Sequence, residues 1–264
     1  MVSSRQKGGS SRALSKGALN ASFKRKSTNE AVQVFRKHTL VEVRDTRGRT
    51  PAMLAAACGN VAGLELLCGN GATLVDYEEK LGWSTIHFAA ANGQADCIKW
   101  IVMHGVDVDF PAKSGNSALH VAAWMGEVGS VRALIGLGAK RHMRGSQGEL
   151  PLHMASLRGN LECVRALCEE APYMDFKSDV GSTPLHVACR GGSSEVVQVL
   201  LECGVRVNEK GENGCTAVHE AAMQGHAKCL EVLASHKANL AMRNDSGRTC
   251  VRCCFFVPGC GFLE

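Results

Sequence analysis

Five of the ten histidines recur at a constant interval and have a side chain that can act as a metal ligand or a general base. Each lies 33 residues from the next, as His87, His120, His153, His186 and His219. A constant interval of this length gives every histidine the same position in a repeated unit. The spacing therefore favours a structural role and predicts no catalytic or metal-binding array.

Thiolates at C-x-x-C spacing can bind zinc, and the C-terminal region contains one such pair. Its four cysteines are Cys250, Cys253, Cys254 and Cys260. A second, well-separated pair is lacking, so we expect neither a metal nor a cofactor, and metal analysis of purified protein tests this. Other cysteines stand at apolar positions of helical patterns, where cysteine behaves as a small core residue. These are Cys97, Cys163, Cys168, Cys189 and Cys229.

The chain carries no signature of an enzyme. It has no G-x-S-x-G, P-loop, H-E-x-x-H or kinase motif, and its charged residues are dispersed. The 13 cysteines are an odd number, and no N-terminal apolar stretch resembles a signal peptide. No apolar run approaches the roughly 18 residues of a membrane span. We expect a protein that is not an enzyme, located in the cytoplasm, the nucleus or both.

Positive charge is concentrated at the N-terminus. The formal net charge is +5, yet residues 1–30 alone hold seven Lys or Arg residues against one Glu. The rest of the chain is nearly balanced, so attraction to nucleic acid or an anionic membrane would come from this arm. Residues 1–27 predict a disordered basic arm. Within it Lys24, Arg25 and Lys26 fit an import signal or a kinase site, or simply a solvated segment.

A unit of about 33 residues repeats along most of the chain. It is marked by a glycine two residues before a short motif, at Gly48, Gly82, Gly115, Gly148, Gly181, Gly214 and Gly247. A Thr or Ser at the motif start predicts a helix N-cap, and a glycine nine residues later predicts a left-handed C-cap. Apolar residues at i, i+3 and i+4 spacing, such as Val197, Leu200 and Leu201, predict a second amphipathic helix.

The segment Thr183 to Ala188, TPLHVA, followed by Gly192 and the apolar residues of the second helix, resembles the ankyrin repeat. The resemblance implies an all-α solenoid of antiparallel helix pairs joined by β-turn or β-hairpin fingers. It covers residues 45–242 as six repeats, with residues 28–44 as a degenerate capping half-repeat. It also implies that the recurring histidine hydrogen-bonds around the finger and the helix start and links neighbouring units.

Some residues depart from the ankyrin pattern. One extra residue between Gly71 and Gly82 predicts a bulged finger, and Leu150 stands where a Thr cap is expected. Residues 243–264 predict a truncated seventh repeat with an off-pattern Cys-rich tail, as in a truncated chain or an alternative exon.

In ankyrin solenoids the fingers and first helices form the concave side, where some positions are not required for packing. The resemblance places ten residues at such positions: Arg47, Arg49, Trp83, Trp124, Met125, Leu157, Arg158, Arg190, Met223 and Gln224. Trp, Met, Leu and Arg are typical interface anchors. We predict an apolar centre of Trp124, Met125 and Leu157, flanked by Trp83 on one side and by Arg158 and Arg190 on the other. The alternative is that these side chains pack on their own fingers.

These features predict a monomeric, non-catalytic scaffold or adaptor that binds other proteins of unknown identity on its concave side. One alternative is a nuclear or nucleic-acid-associated regulator that uses the basic arm. Another is the targeting fragment of a larger enzyme. Ankyrin substrates of asparaginyl hydroxylases also suggest Asn208 as a modification site, which mass spectrometry tests.

Overall fold

The computed structural model describes residues 41–169 and 175–250, which contain six successive pairs of α-helices. The predicted basic arm with its Lys24 to Lys26 cluster, most of the predicted capping half-repeat and the cysteines after Cys250 lie outside the described residues. Asn208, the candidate modification site, lies within them.

Each pair consists of a first helix, which we call inner, and a second, which we call outer. The inner helices are α1 (Pro51–Ala57), α3 (Thr85–Ala91), α5 (Ala118–Met125), α7 (Pro151–Arg158), α9 (Pro184–Gly191) and α11 (Ala217–Gln224). The outer helices are α2 (Val61–Gly69), α4 (Ala95–Met103), α6 (Val128–Gly136), α8 (Leu161–Cys168), α10 (Ser194–Glu202) and α12 (Ala227–Ser235). Inner helices pack side by side in chain order, and outer helices form a second layer. The all-α solenoid is confirmed.

The inner helices begin where the motif predicts, and four of the six have the predicted glycine as a left-handed C-cap, whereas the C-caps of α1 and α3 are Cys58 and Asn92, one residue before the glycine. Thr50, for example, accepts a hydrogen bond from the Met53 N–H at 3.3 Å, as an N-cap does. Gly126 and Gly159 end α5 and α7 with φ of 82° and 71°, the left-handed region that glycine enters without strain. Leu150 has no hydroxyl, but α7 still begins after it because the Leu150 N–H bonds to Nδ1 of His153 at 3.2 Å.

Small residues allow the two layers to approach closely. The alanine five residues into each motif, such as Ala122 or Ala155, has no exposed surface. Each outer helix contributes larger residues to the same core, and Leu134 and Leu200 are also fully buried. Burial of a leucine contributes about 1.5–3 kcal/mol. Most stabilisation therefore comes from contacts between layers and between neighbouring units, as expected for a solenoid.

The fingers are turns, and no strand occurs in residues 41–169 and 175–250. A typical finger is closed by the Ala112 N–H, which donates to the Asn116 carbonyl at 2.8 Å. In the second finger the Glu78 N–H instead reaches the carbonyl of Trp83, so the turn is one residue longer. The carboxylate of Glu78 accepts hydrogen bonds from the N–H groups of Lys80 and Leu81 within this turn. The predicted bulge is confirmed and lies at the finger tip.

None of the helices described between residues 41 and 250 has the length and apolar character needed to cross a membrane. In the same part of the chain, no three His, Cys, Asp or Glu side chains come together as a metal-binding group.

Candidate functional site

The repeated histidines link each unit to the next by hydrogen bonds. In the third unit, Nδ1 of His120 accepts a hydrogen bond from the Ser117 N–H at 3.1 Å and lies 2.9 Å from the Ser117 hydroxyl. Its Nε2–H donates to the carbonyl of Glu149, in the next finger, at 3.1 Å. His87, His153, His186 and His219 bond in the same way to carbonyls 29 residues ahead. The structural role predicted for these histidines is confirmed.

Burial favours the neutral form of four of these rings. Desolvation lowers the pKa of His87, His120 and His153 to about 4, and it also lowers the pKa of His186. Because both ring nitrogens are occupied by hydrogen bonds within the protein, the rings offer no free lone pair to a metal or a substrate. We therefore expect a partner-binding site among the exposed side chains of the inner helices.

Three rows of side chains run across the inner helices on the side that faces away from the outer layer. The finger row precedes the helix starts: Arg49, Trp83, Asn116, Glu149, Ser182 and Cys215. The middle row lies one turn into the helices: Leu54, Phe88, Val121, Met154, Val187 and Glu220. The helix-end row occupies the last two positions of the motif, such as Trp124 and Met125 in α5. Middle and helix-end positions are three or four residues apart and so share one helix face.

The helix-end row contains the predicted apolar centre. Trp124 and Met125 at the end of α5 are 38% and 46% exposed. Leu157 and Arg158 hold the same positions in α7, the neighbouring inner helix, and Leu157 is half-buried. The guanidinium carbon of Arg158 lies over the Trp124 ring, 5.0 Å from its centroid. The structure thus brings Trp124 and Arg158 together and places Leu157 on the adjacent helix.

Trp83 lies two residues before α3 begins, whereas Trp124 lies in the last turn of α5. Trp83 belongs to the finger row and packs edge-on against Phe88, with ring centroids 5.6 Å apart. Seven residues of helix, or about 10 Å, separate the two rows. Between them stand the middle-row residues Phe88 and Val121, which are buried, and Met154, which is half-buried. Trp83 is therefore neither adjacent to Trp124 nor joined to it by a continuous exposed apolar surface.

Two of the predicted arginines are held by carboxylates of the protein itself. Arg190 donates two hydrogen bonds to Glu220, at 3.0 and 3.2 Å, and the side chain of Glu220 is only 7% exposed. This pairing raises the pKa of Arg190. Arg49 forms an ion pair with Asp45 at 2.6 Å within its own finger, and that hydrogen bond helps to lower the pKa of Asp45 against the opposing effect of burial. For Arg49 and Arg190 the alternative of packing within the solenoid describes the geometry better.

The remaining predicted residues lie in the first and the last of the six units. Arg47 is exposed and lines a groove of about 540 Å³ between the first two fingers, together with Glu79, Lys80 and Leu81. At the other end, Met223 is half-buried and Gln224 is exposed at the end of α11. Neither group is continuous with the apolar centre.

Sequence reasoning missed Glu220, the middle-row residue that pairs with Arg190. The available signal was chemical: Leu54, Val121 and Val187 hold the same position in other units, and a Glu departs from that aliphatic pattern.

Comparisons with known proteins agree with this architecture. A family model described as ankyrin repeats in three copies matches residues 73–144 and 129–211, and one described as ankyrin repeats in many copies matches residues 218–256. The crystal structure of the human ASB11 ankyrin repeat domain is similar with a TM-score of 0.69 and 29% identity, covering 80% of this chain and 93% of that one. The ankyrin repeat domain of Bcl-3, a member of the IkappaB protein family, gives a TM-score of 0.67 and 25% identity, with coverages of 78% and 94%.

Two curated proteins are similar over shorter stretches. The mouse inhibitor of Bruton tyrosine kinase is 32% identical over 66 residues, which is 25% of this chain and 5% of that protein. The probable 26S proteasome regulatory subunit p28 of Saccharomyces cerevisiae is 34% identical over 62 residues, 24% of this chain and 27% of that protein. The matched region therefore spans a small part of the length of these curated relatives.

Proposed function

The chain belongs to the ankyrin-repeat family, and on that premise we propose that it is a non-catalytic scaffold or adaptor that binds other proteins on its finger and inner-helix face. Ankyrin-repeat domains are generally protein-interaction modules, and the two curated relatives are named as an inhibitor of a kinase and a probable regulatory subunit of the proteasome. We further propose that it acts as a monomer in the cytoplasm, the nucleus or both.

One observation supports this function most directly. Trp124 and Met125 are large apolar side chains that remain substantially exposed on the face opposite the outer layer. The solenoid does not need them, because the alanine and leucine residues already fill the space between its layers. Burying such side chains in a complex would contribute about 1.5–3 kcal/mol each, the range of interface hot spots.

The test is affinity purification with matched variants. Trp124→Ala combined with Leu157→Ala should lose partners that the unchanged chain retains, with the helix content preserved. The control is Met103→Ala, because Met103 is 82% exposed but lies on the outer helix α4. Equal loss of partners in the control and the double variant, or a large fall in melting temperature of the double variant, would contradict the assignment of this face.

The charge of residues 1–30 supports a second candidate, a nuclear or nucleic-acid-associated regulator that acts through the basic arm. Deletion of residues 1–27 should then remove salt-dependent nucleic-acid binding and change the location of the protein in the cell. Retained binding after deletion would refute this role. The further alternative, a targeting fragment of a larger enzyme, is tested by sequencing the full-length transcript.

A further inference from the structure

We infer that the helix-end row selects an acidic, apolar segment of its partner. An aromatic or aliphatic side chain of that segment would be seated against Trp124, Met125 and Leu157, and a neighbouring Asp or Glu would pair with Arg158. This inference rests on the proposed protein-binding function and specifies the chemistry of the partner.

The first argument is the charge of the row. Its twelve members include two arginines and no carboxylate: Ala57, Cys58, Ala91, Asn92, Trp124, Met125, Leu157, Arg158, Arg190, Gly191, Met223 and Gln224. The charge of Arg190 is already compensated by Glu220. Within the parts of the chain that the structure describes, no ion pair includes Arg158. The row therefore presents one uncompensated cation beside its most exposed apolar residues.

The second argument is the geometry of Arg158. Its guanidinium carbon lies over the Trp124 ring, 5.0 Å from the ring centroid. Within the described residues the Arg158 side chain has no hydrogen-bond or ion-pair partner, so its N–H donors remain available for a bidentate carboxylate. Holding the arginine in one place also reduces the side-chain entropy that binding would otherwise remove. The same two residues can thus contact an apolar group and an acid.

The third argument is that nearby groups do not favour a basic partner at this point. The carbonyls of Ala123 and Trp124 at the end of α5 already accept hydrogen bonds from the Asn160 amide, at 2.8 and 3.1 Å. The carboxylate of Glu127, the residue that precedes α6, is directed toward Gly93 in the preceding unit. Neither group is placed to bind a lysine or arginine that enters beside Trp124.

A carboxylate elsewhere restricts where an acidic segment can lie. Glu149 occupies the finger row of unit four, where it is half-buried. Glu220 does not act in this way, because Arg190 compensates its charge. An acidic segment that crossed the finger row beside Glu149 would be repelled, so we place it along the helix-end row of units three and four.

Selection from a random twelve-residue peptide library displayed on phage tests the inference, using the complete protein as bait. Peptides that bind the unchanged chain should combine Phe, Trp, Leu or Ile with Asp or Glu. They should bind Arg158→Glu at least tenfold more weakly and Trp124→Ala still more weakly. A peptide whose Glu is changed to Lys should recover affinity for the Arg158→Glu variant. The control is Arg165→Glu, which changes the net charge equally on the outer helix α8.

The outcomes separate the two proposals. Peptides that need Trp124 but are basic, or that bind Arg158→Glu as well as the unchanged chain, would overturn the acidic partner while leaving the face as a binding site. Peptides that are indifferent to both substitutions would overturn the binding face itself, and the inference with it. Because Arg158 is exposed and Trp124 is partly exposed, both variants should keep the far-ultraviolet circular dichroism of the unchanged protein.

Discussion

Acid should unfold this solenoid well above the pH at which an average small domain loses its structure. His87, His120 and His153 have a pKa of about 4 in the folded chain because desolvation by burial lowers it by more than the hydrogen bond of each ring to a backbone carbonyl raises it. The ordinary pKa is about 6.5. Between these values the unfolded chain binds protons that the folded chain does not, so stability is lost as pH falls from about 6.5 to about 4.

The expected magnitude follows from the two pKa values. Lowering the pH from 7 to 5 should cost about 1.8 kcal/mol for each of the three histidines, or about 5 kcal/mol together. Near pH 5.5 these three histidines should change the free energy of unfolding by about 3.6 kcal/mol per pH unit. The lowered pKa values of His186 and Asp45 act in the same direction, whereas the raised pKa of Glu149 acts in the opposite one. The loss is comparable to the whole stability of many domains.

Urea unfolding followed by circular dichroism, at intervals between pH 7.5 and 5, measures this slope. His120→Gln should be less stable at pH 7 but should reduce the slope that these histidines contribute near pH 5.5 to about 2.4 kcal/mol per pH unit, because one titrating ring is gone. His104→Gln is the matched control, since the His104 side chain is exposed on the outer layer. A flat profile between pH 7 and 5, or an unchanged slope in His120→Gln, would refute the assignment of neutral, buried histidines.

Three further predictions concern packing, ion pairing and thiol reactivity. Ala122→Leu should destabilise by about 1–3 kcal/mol, seen as a lower urea midpoint, because the fully buried Ala122 leaves no room between inner helices. Arg190→Ala should cost about 1–3 kcal/mol in the same assay by leaving the carboxylate of Glu220 buried and unpaired, and Glu220→Gln in that background should restore part of the loss. In native protein at pH 8, a disulfide reagent should modify the exposed Cys58 faster than the buried Cys97, since burial raises the pKa of Cys97 to about 11; equal rates would contradict the packing described for α4.

The repeat pattern was sufficient to predict the helix pairs, their caps and the role of the histidines. Each of these features is local, because a cap is completed within one turn and the His120 bond spans a single unit. Because the other units are regular, the added residue near Gly82 could be recognised, and it predicted the longer finger that the structure contains. The candidate partner face could be predicted only as a set of positions, since their environment depends on neighbouring units.

The amino-acid sequence by itself determined the features that repeat every 33 residues. These are the ankyrin fold, the register of its units and the set of positions that are not needed for packing within a unit. The tertiary structure decided which of those residues remain available. Stacking brings Glu220 onto Arg190 from 30 residues away and compensates its charge, whereas it places Arg158 over Trp124 and gives it no carboxylate partner within the described residues. The physical reason is that side chains pair across units, at distances set by the stacking of helices and not by the order of residues within a repeat.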